Sequence, residues 1–238
     1  MKKRKIIGIT LICLLSVSAL ICGGVFLHQY FDAQNSAAAF DELAGLVVEV
    51  TPPAPDVSDA EGEEPSAAEA ELAQERYGAL FEQNNDFVGW ISIDETSIHY
   101  PVMQTPDNPD YYLKHGFDKA YSNYGVPYID EGCAPGLSNN IVIYGHHMND
   151  GTMFADLCGY ADRGFYEGHK TIRFDTLSGS GEYEVVAAFR FNTNRDTFRY
   201  NEYTNMDEAE FAEFLENVRA RALYDTDMEV EYGDTLLT

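Results

Sequence analysis

Positive charge is scarce in this sequence: 238 residues carry 15 Lys plus Arg against 40 Asp plus Glu, a formal net charge of −25. Four of those bases, Lys2, Lys3, Arg4 and Lys5, stand together at the N-terminus, so 11 are left to face all 40 acids. Such a chain repels a phosphate backbone, which excludes nucleic acid as a partner. Cysteine is rare as well. Only four occur, and Cys13 and Cys22 lie inside an apolar run, which excludes a disulfide scaffold. No HExxH-like ligand spacing and no internal repeat is present, so no metal or other cofactor is expected. Apolar and aromatic residues, at 45% and 13%, are too plentiful for a wholly disordered chain.

From Ile6 to Leu27 the sequence has 22 residues without a charge. At about 1.5 Å rise per residue this run crosses a hydrocarbon core of roughly 30 Å. It predicts one transmembrane helix over 6–27. The four preceding cations place residues 1–5 in the cytoplasm and the remainder outside the cell. A cleaved signal peptide is the rival reading: the apolar run is longer than such a segment needs and no small-x-small site closes it directly, although Ala37 to Ala39 leaves cleavage open.

Residues 28–75 read as an acidic, Pro/Ala-rich spacer, with Pro52, Pro53, Pro55, Glu61, Glu63, Glu64 and Pro65 at its centre. A helix is predicted from near Ser66, where Ala73, Tyr77, Leu80 and Phe81 share one face before Asn84 and Asn85. Residues 76–238 then form one domain. Short strands are predicted over 89–93, 97–103, 125–130, 140–144, 171–174 and 182–191, which imply a closed or nearly closed β-barrel. A late helix interrupts them. Phe211, Phe214, Leu215 and Val218 repeat at helical spacing, with Asp207 and Glu208 early and Arg219 and Arg221 late, matching the helix dipole. Alternation at Met228, Val230 and Tyr232 predicts another strand, and Thr235 to Thr238 a last one.

The segment Asn140-Ile141-Val142-Ile143-Tyr144-Gly145-His146-His147 is a strand ending in glycine and two imidazoles. A histidine there can face a cleft, and its unperturbed pKa of about 6.5 suits proton transfer. A surface or satisfied core histidine is the plainer alternative. On an extended segment His147 points the other way, toward a structural or rim role. A zinc site from His146, His147 and His169 is disfavoured because adjacent histidines diverge.

Four separated motifs are far more specific together. They are Asn85-Asp86-Phe87-Val88-Gly89-Trp90-Ile91, Tyr100-Pro101-Val102-Met103-Gln104, Asp107-Asn108 with Tyr111-Tyr112-Leu113, and Tyr144-Gly145-His146-His147 with Asp150-Gly151-Thr152-Met153-Phe154. Their order and spacing resemble class B sortases from about Arg76 to Thr238. The resemblance implies a mainly β, sortase-like β-barrel with an N-terminal helix and a late inserted helix, preceded by one transmembrane helix. It further implies a Gram-positive cysteine transpeptidase of the cell membrane. Such an enzyme cleaves a secreted protein's sorting signal at a Thr carbonyl and transfers the protein to a cell-wall peptidoglycan amine. The thiolate attacks, a histidine protonates the departing amine and an Arg stabilises the oxyanion.

The histidine carries over to His146. The family's Cys follows a Thr-Leu-Ser-Thr-type sequence on the strand after the late helix, and its Arg lies on the next strand. Leu237-Thr238 resembles the start of that motif, so this polypeptide is expected to lack both groups and to be inactive as a truncated or incomplete sortase. The alternative is a non-catalytic, membrane-tethered module that holds a sorting peptide, or a decayed remnant. Cys133 and Cys158 match no family nucleophile and have no adjacent cation. Thr193, Thr197 and Phe198 lie in the segment that walls the sorting-signal groove in the family and are candidate substrate-binding residues; an ordinary polar loop is the alternative.

Overall fold

The computed structural model describes residues 2–49, 67–192 and 194–238, which fall into two compact units, Met1–Ala39 and Phe40–Thr238. The first is the greater part of helix α1 (Lys2–Ala44). Within it the stretch Cys13–Ala44 is long and apolar enough to cross a membrane, and the side chains from Cys13 to Phe31 are exposed. The helix thus runs beyond the predicted span of 6–27. Of the expected spacer, residues 28–44 are helical and residues 50–66 lie outside the described residues.

In the second unit, Leu43 is buried in a core with Tyr77, Leu80, Phe87, Trp90 and Tyr112. Helix α2 (Ala67–Gln83) contributes Tyr77 and Leu80 to it, the face anticipated from their spacing. Two central strands follow, β1 (Phe87–Ser92) and β2 (His99–Met103), antiparallel with Ile91 opposite Tyr100. A crossover then leads to β3 (Tyr128–Ile129), which runs parallel to β2. Strand β5 (Ile143–Tyr144) pairs antiparallel with β3, Tyr144 facing Tyr128. Strands β6 (Thr171–Thr176) and β7 (Glu182–Glu184) extend the other side, giving a six-stranded sheet of order β5-β3-β2-β1-β6-β7.

A separate two-stranded ladder joins β4 (Asn140–Ile141) to β8 (Leu236–Leu237) in parallel. The strand predicted over 140–144 is therefore two strands. Val142 is where the chain changes sheets, its carbonyl accepting from Asp130 N at 3.0 Å. A short helix α3 (Arg163–Gly168) precedes β6. The late helix α4 (Glu208–Arg221) stands where expected, and its start is a capping box in which Asp207 and Glu210 bond reciprocally to backbone N–H groups. Phe211, Phe214, Leu215 and Val218 bury its inner face against Phe198 and Met206. The predicted strands at 182–191 and 228–232 differ from what is found. The first forms a ladder only to Glu184, and the second is an extended segment with a single bridge between Tyr232 and Asp234.

Candidate active site

His146 follows β5 and is half-buried. Its Nε2 lies 2.8 Å from the carbonyl oxygen of Leu113, at the end of a 3-10 turn over Tyr111–Leu113 in the crossover between β2 and β3. A carbonyl only accepts, so Nε2 is the donor in this hydrogen bond. The preceding Gly145 is required by a close approach. A Cβ there would overlap the ring of Phe154, so only glycine lets that ring lie across the backbone.

The loop after His146 folds back on it. Phe154 N donates to His146 O at 2.8 Å, and His147 and Met153 form an antiparallel bridge. Met153, buried, takes φ 58 and ψ −132, an uncommon backbone for a residue with a Cβ, and its N–H donates to the Tyr100 hydroxyl at 3.0 Å. Strain of about 1–3 kcal/mol at such a residue persists only where surrounding contacts hold it. Those contacts are present. Asp150 accepts from the Tyr124 hydroxyl at 2.5 Å and from Thr152 Oγ1 at 2.6 Å, and Asp156 accepts from Ser97 N at 2.7 Å and Ser97 Oγ at 2.8 Å. Burial acts to raise the Asp150 pKa, but the hydrogen bonds from Thr152 and Tyr124 outweigh it and hold the carboxyl below its ordinary value.

His147 is exposed. His169 stacks on Phe165 with ring centroids 3.9 Å apart, its Nδ1 bonded to Phe165 O at 2.7 Å. Among the described residues no three His, Cys, Asp or Glu gather to hold a metal. Cys133 is buried, with Sγ 3.5 Å from Asn140 O and 3.4 Å from Val142 N. Burial pushes its thiol pKa up, the reverse of what a nucleophile needs. Cys158 is exposed on a 3-10 helix, Phe154–Ala161.

Of the candidate groove residues, Thr193 lies outside the described residues. Thr197 and Phe198 line a cavity of about 530 Å³ beside α4, with Tyr203, Glu210, Glu213 and Arg221 around it. Phe198 is buried under the Arg221 guanidinium, 4.8 Å from ring centre to Cζ, while Thr197 is exposed.

The sortase domain family matches residues 91–215, more than half of the chain. The chain is 31% identical over 169 residues to Sortase B of Staphylococcus aureus, covering 71% of this chain and 68% of that one. This chain belongs to the sortase family, class B. The sortase B structure from B. anthracis superposes with TM-score 0.67 and 27% identity over 87% of this chain and 90% of that one. A Staphylococcus aureus sortase B–substrate complex superposes with TM-score 0.64 and 27% identity, over 71% and 81% of the two chains. The expected fold class is borne out, with one long apolar helix at the N-terminus and a sortase domain behind it. Two features of the site in this sortase lay beyond sequence reasoning. The Leu113 carbonyl is a backbone group without a signature, and the Phe154 ring over Gly145 shows in the sequence only as a glycine and an aromatic nine positions apart.

Proposed function

We propose that this chain is a membrane-tethered class B sortase in which His146 is the acid–base residue. The observation that carries this is the placement of His146. Strands β4 and β8 run parallel, and beyond Leu237 the Thr238 carbonyl accepts from Ile143 N at 2.8 Å, so β8 tracks the chain that leads to His146. A thiol on a continuation of β8 would come up beside the imidazole. Neither Cys133, buried with a raised pKa, nor Cys158 takes that role. The family's Arg would follow on the next strand. The apolar helix over 6–27 anchors the protein with its N-terminus in the cytoplasm, and the domain works outside the cell on secreted proteins that carry sorting signals.

The mechanism asks two things of His146. It must stabilise the thiolate as an imidazolium partner, and it must hand a proton to the departing amine. Thr197 and Phe198 bind the sorting peptide in this proposal through the mouth of the cavity beside α4, and Thr193, outside the described residues, is proposed to bind it as well.

The test is acyl transfer from a fluorogenic sorting peptide to an amine acceptor. It is run on the 238-residue chain and on the chain extended by the codons that follow Thr238. Turnover only in the extended chain, lost by roughly 10²–10⁴-fold in His146→Ala and retained in His147→Ala, supports the proposal. Turnover retained in His146→Ala and lost in His147→Ala would move the assignment by one residue. Peptide binding with no transfer by either chain would favour a binding module instead.

A further inference from the structure

We propose that the Leu113 carbonyl, held in place by the glycine at 125, fixes His146 as the Nε2–H tautomer and makes Nδ1 the nitrogen that exchanges a proton during acyl transfer. This rests on the acid–base reading of His146 above and adds how the ring is aimed. The carbonyl oxygen of Leu113 accepts from Nε2 at 2.8 Å, and it can do so in both the neutral and the cationic ring. The only proton that comes and goes is therefore on Nδ1. As imidazolium, the ring passes that proton from Nδ1 to the departing amine and returns to the neutral Nε2–H form. The Leu113 bond is kept throughout.

The carbonyl is unusually well located for a group in a crossover loop. Leu113 N donates to Asp110 O at 3.0 Å, and Val126 N donates to Tyr112 O at 3.0 Å. Tyr112 is fully buried. Its hydroxyl donates to Asp86 Oδ2 at 2.8 Å and accepts from Asn84 Nδ2 at 2.7 Å, and Asp86 pairs with Lys119 at 2.8 Å. On the other side lies Gly125. A Cβ there would collide with Tyr112 O and sit 2.8 Å from Leu113 O and 3.0 Å from Leu113 C. These are backbone atoms, which cannot rotate away as a side-chain tip would.

The other glycines of positive φ are different. At Gly136, Gly151 and Gly233 a Cβ would meet nothing within 4 Å, so they serve only the turn conformation. At Gly125, where φ is +60, the missing side chain also makes room for the peptide that binds His146. Gly125 is thus a positioning residue, acting on the imidazole through one carbonyl.

The experiment uses the full chain in detergent micelles, labelled with ¹⁵N at histidine and ¹³C at the Leu113 carbonyl, with the His146 signals assigned by their loss in His146→Gln. We expect a protonated Nε2 with a slowly exchanging proton and a scalar coupling across the hydrogen bond to the Leu113 carbonyl. Gly125→Ala abolishes that coupling. Gly136→Ala, which bears the same backbone penalty without the contact, keeps it. Should the alanine chain not fold, the inference is decided on the unaltered chain by its tautomer and by the presence or absence of the coupling. An Nδ1–H tautomer, no coupling in the unaltered chain, or coupling retained in the Gly125 variant overturns the inference. Acyl transfer by the extended chain separates the two layers. Turnover that needs His146 without this coupling refutes the inference alone, whereas coupling with turnover indifferent to His146 refutes the acid–base reading on which it rests.

Discussion

The hydroxyl of Tyr77 donates to Oδ2 of Asp175 at 2.6 Å, tying α2 to the C-terminal end of β6. Arg76 Nη1 bonds the same oxygen at 3.1 Å, and the Tyr77 ring stacks over Trp90 with centroids 6.5 Å apart. Burial raises the Tyr77 pKa and the hydrogen bond to Asp175 adds to it, so the phenol remains a donor across the working pH range. Tyr77→Phe should cost about 1.5–3 kcal/mol, the range for a hydrogen bond to a charged group. Asp175→Asn, which keeps the shape, should cost less than Asp175→Ala. Urea unfolding of the three variants checks the order.

Gly145→Ala drives a methyl into the Phe154 ring beside the catalytic candidate. Overpacking of this kind costs about 1–3 kcal/mol. The pair Gly145→Ala with Phe154→Leu should recover part of that loss, because the smaller side chain vacates the space. Thermal unfolding of the single and double variants measures the recovery.

Asp196 accepts from Arg221 Nε at 3.0 Å and Nη2 at 2.8 Å. The Arg221 hydrogen bonds, helped by the Phe198 amide, bring the Asp196 pKa down to about 2. The folded pKa lies below the unfolded value of about 3.9, so the contribution of this pair is complete above that value and is lost as the pH falls through about 2. A ¹³C carboxyl titration should place the Asp196 midpoint near 2, and Arg221→Gln should move it upward.

The thiols should differ sharply in reactivity. Cys158 is exposed, while Cys133 is buried with its pKa pushed up by burial. A water-soluble maleimide should label Cys158 readily and Cys133 only after denaturation. Cys133→Ala should leave acyl transfer by the extended chain intact, and mass spectrometry of labelled peptides reads the order of modification.

Removing the cap of α4 by Asp207→Ala should lower stability by about 1 kcal/mol, since two backbone N–H groups, of Ala209 and Glu210, lose their acceptor at 2.9 Å. Asp207→Ser should recover most of it in the same unfolding assay.

What could be read in the sequence was whatever repeats with a period. The stripe Phe211, Phe214, Leu215 and Val218 announces α4, and the runs around Trp90 and Val102 announce the two central strands. Alternation misleads where one face is buried without a ladder. Ala187, Phe189 and Phe191 pack in turn against the α4 cluster, yet the hydrogen bonds of this stretch go to isolated partners such as Leu223 N onto Ala188 O. Val230 and Tyr232 behave alike, Tyr232 meeting Phe211 edge to face at 5.7 Å. The break at Val142 was illegible because apolar residues run unbroken through it, while the two halves find different neighbours. For the site, His146 was visible through its chemistry, and its Leu113 partner was not, because a carbonyl leaves no trace in residue identity.

The pairing of Asn140 has a consequence for how the protein is made. This fully buried amide donates to Tyr203 O at 2.8 Å and accepts from Thr238 Oγ1 at 2.8 Å, a residue 98 positions further along. Until that distant stretch has left the ribosome, the amide oxygen lacks its Thr238 donor and the strand it belongs to lacks its neighbour β8. Closure over so long a separation is slow. Folding of this edge is therefore deferred until the last residues of the ladder have been synthesised, and the earlier part of the polypeptide waits without it.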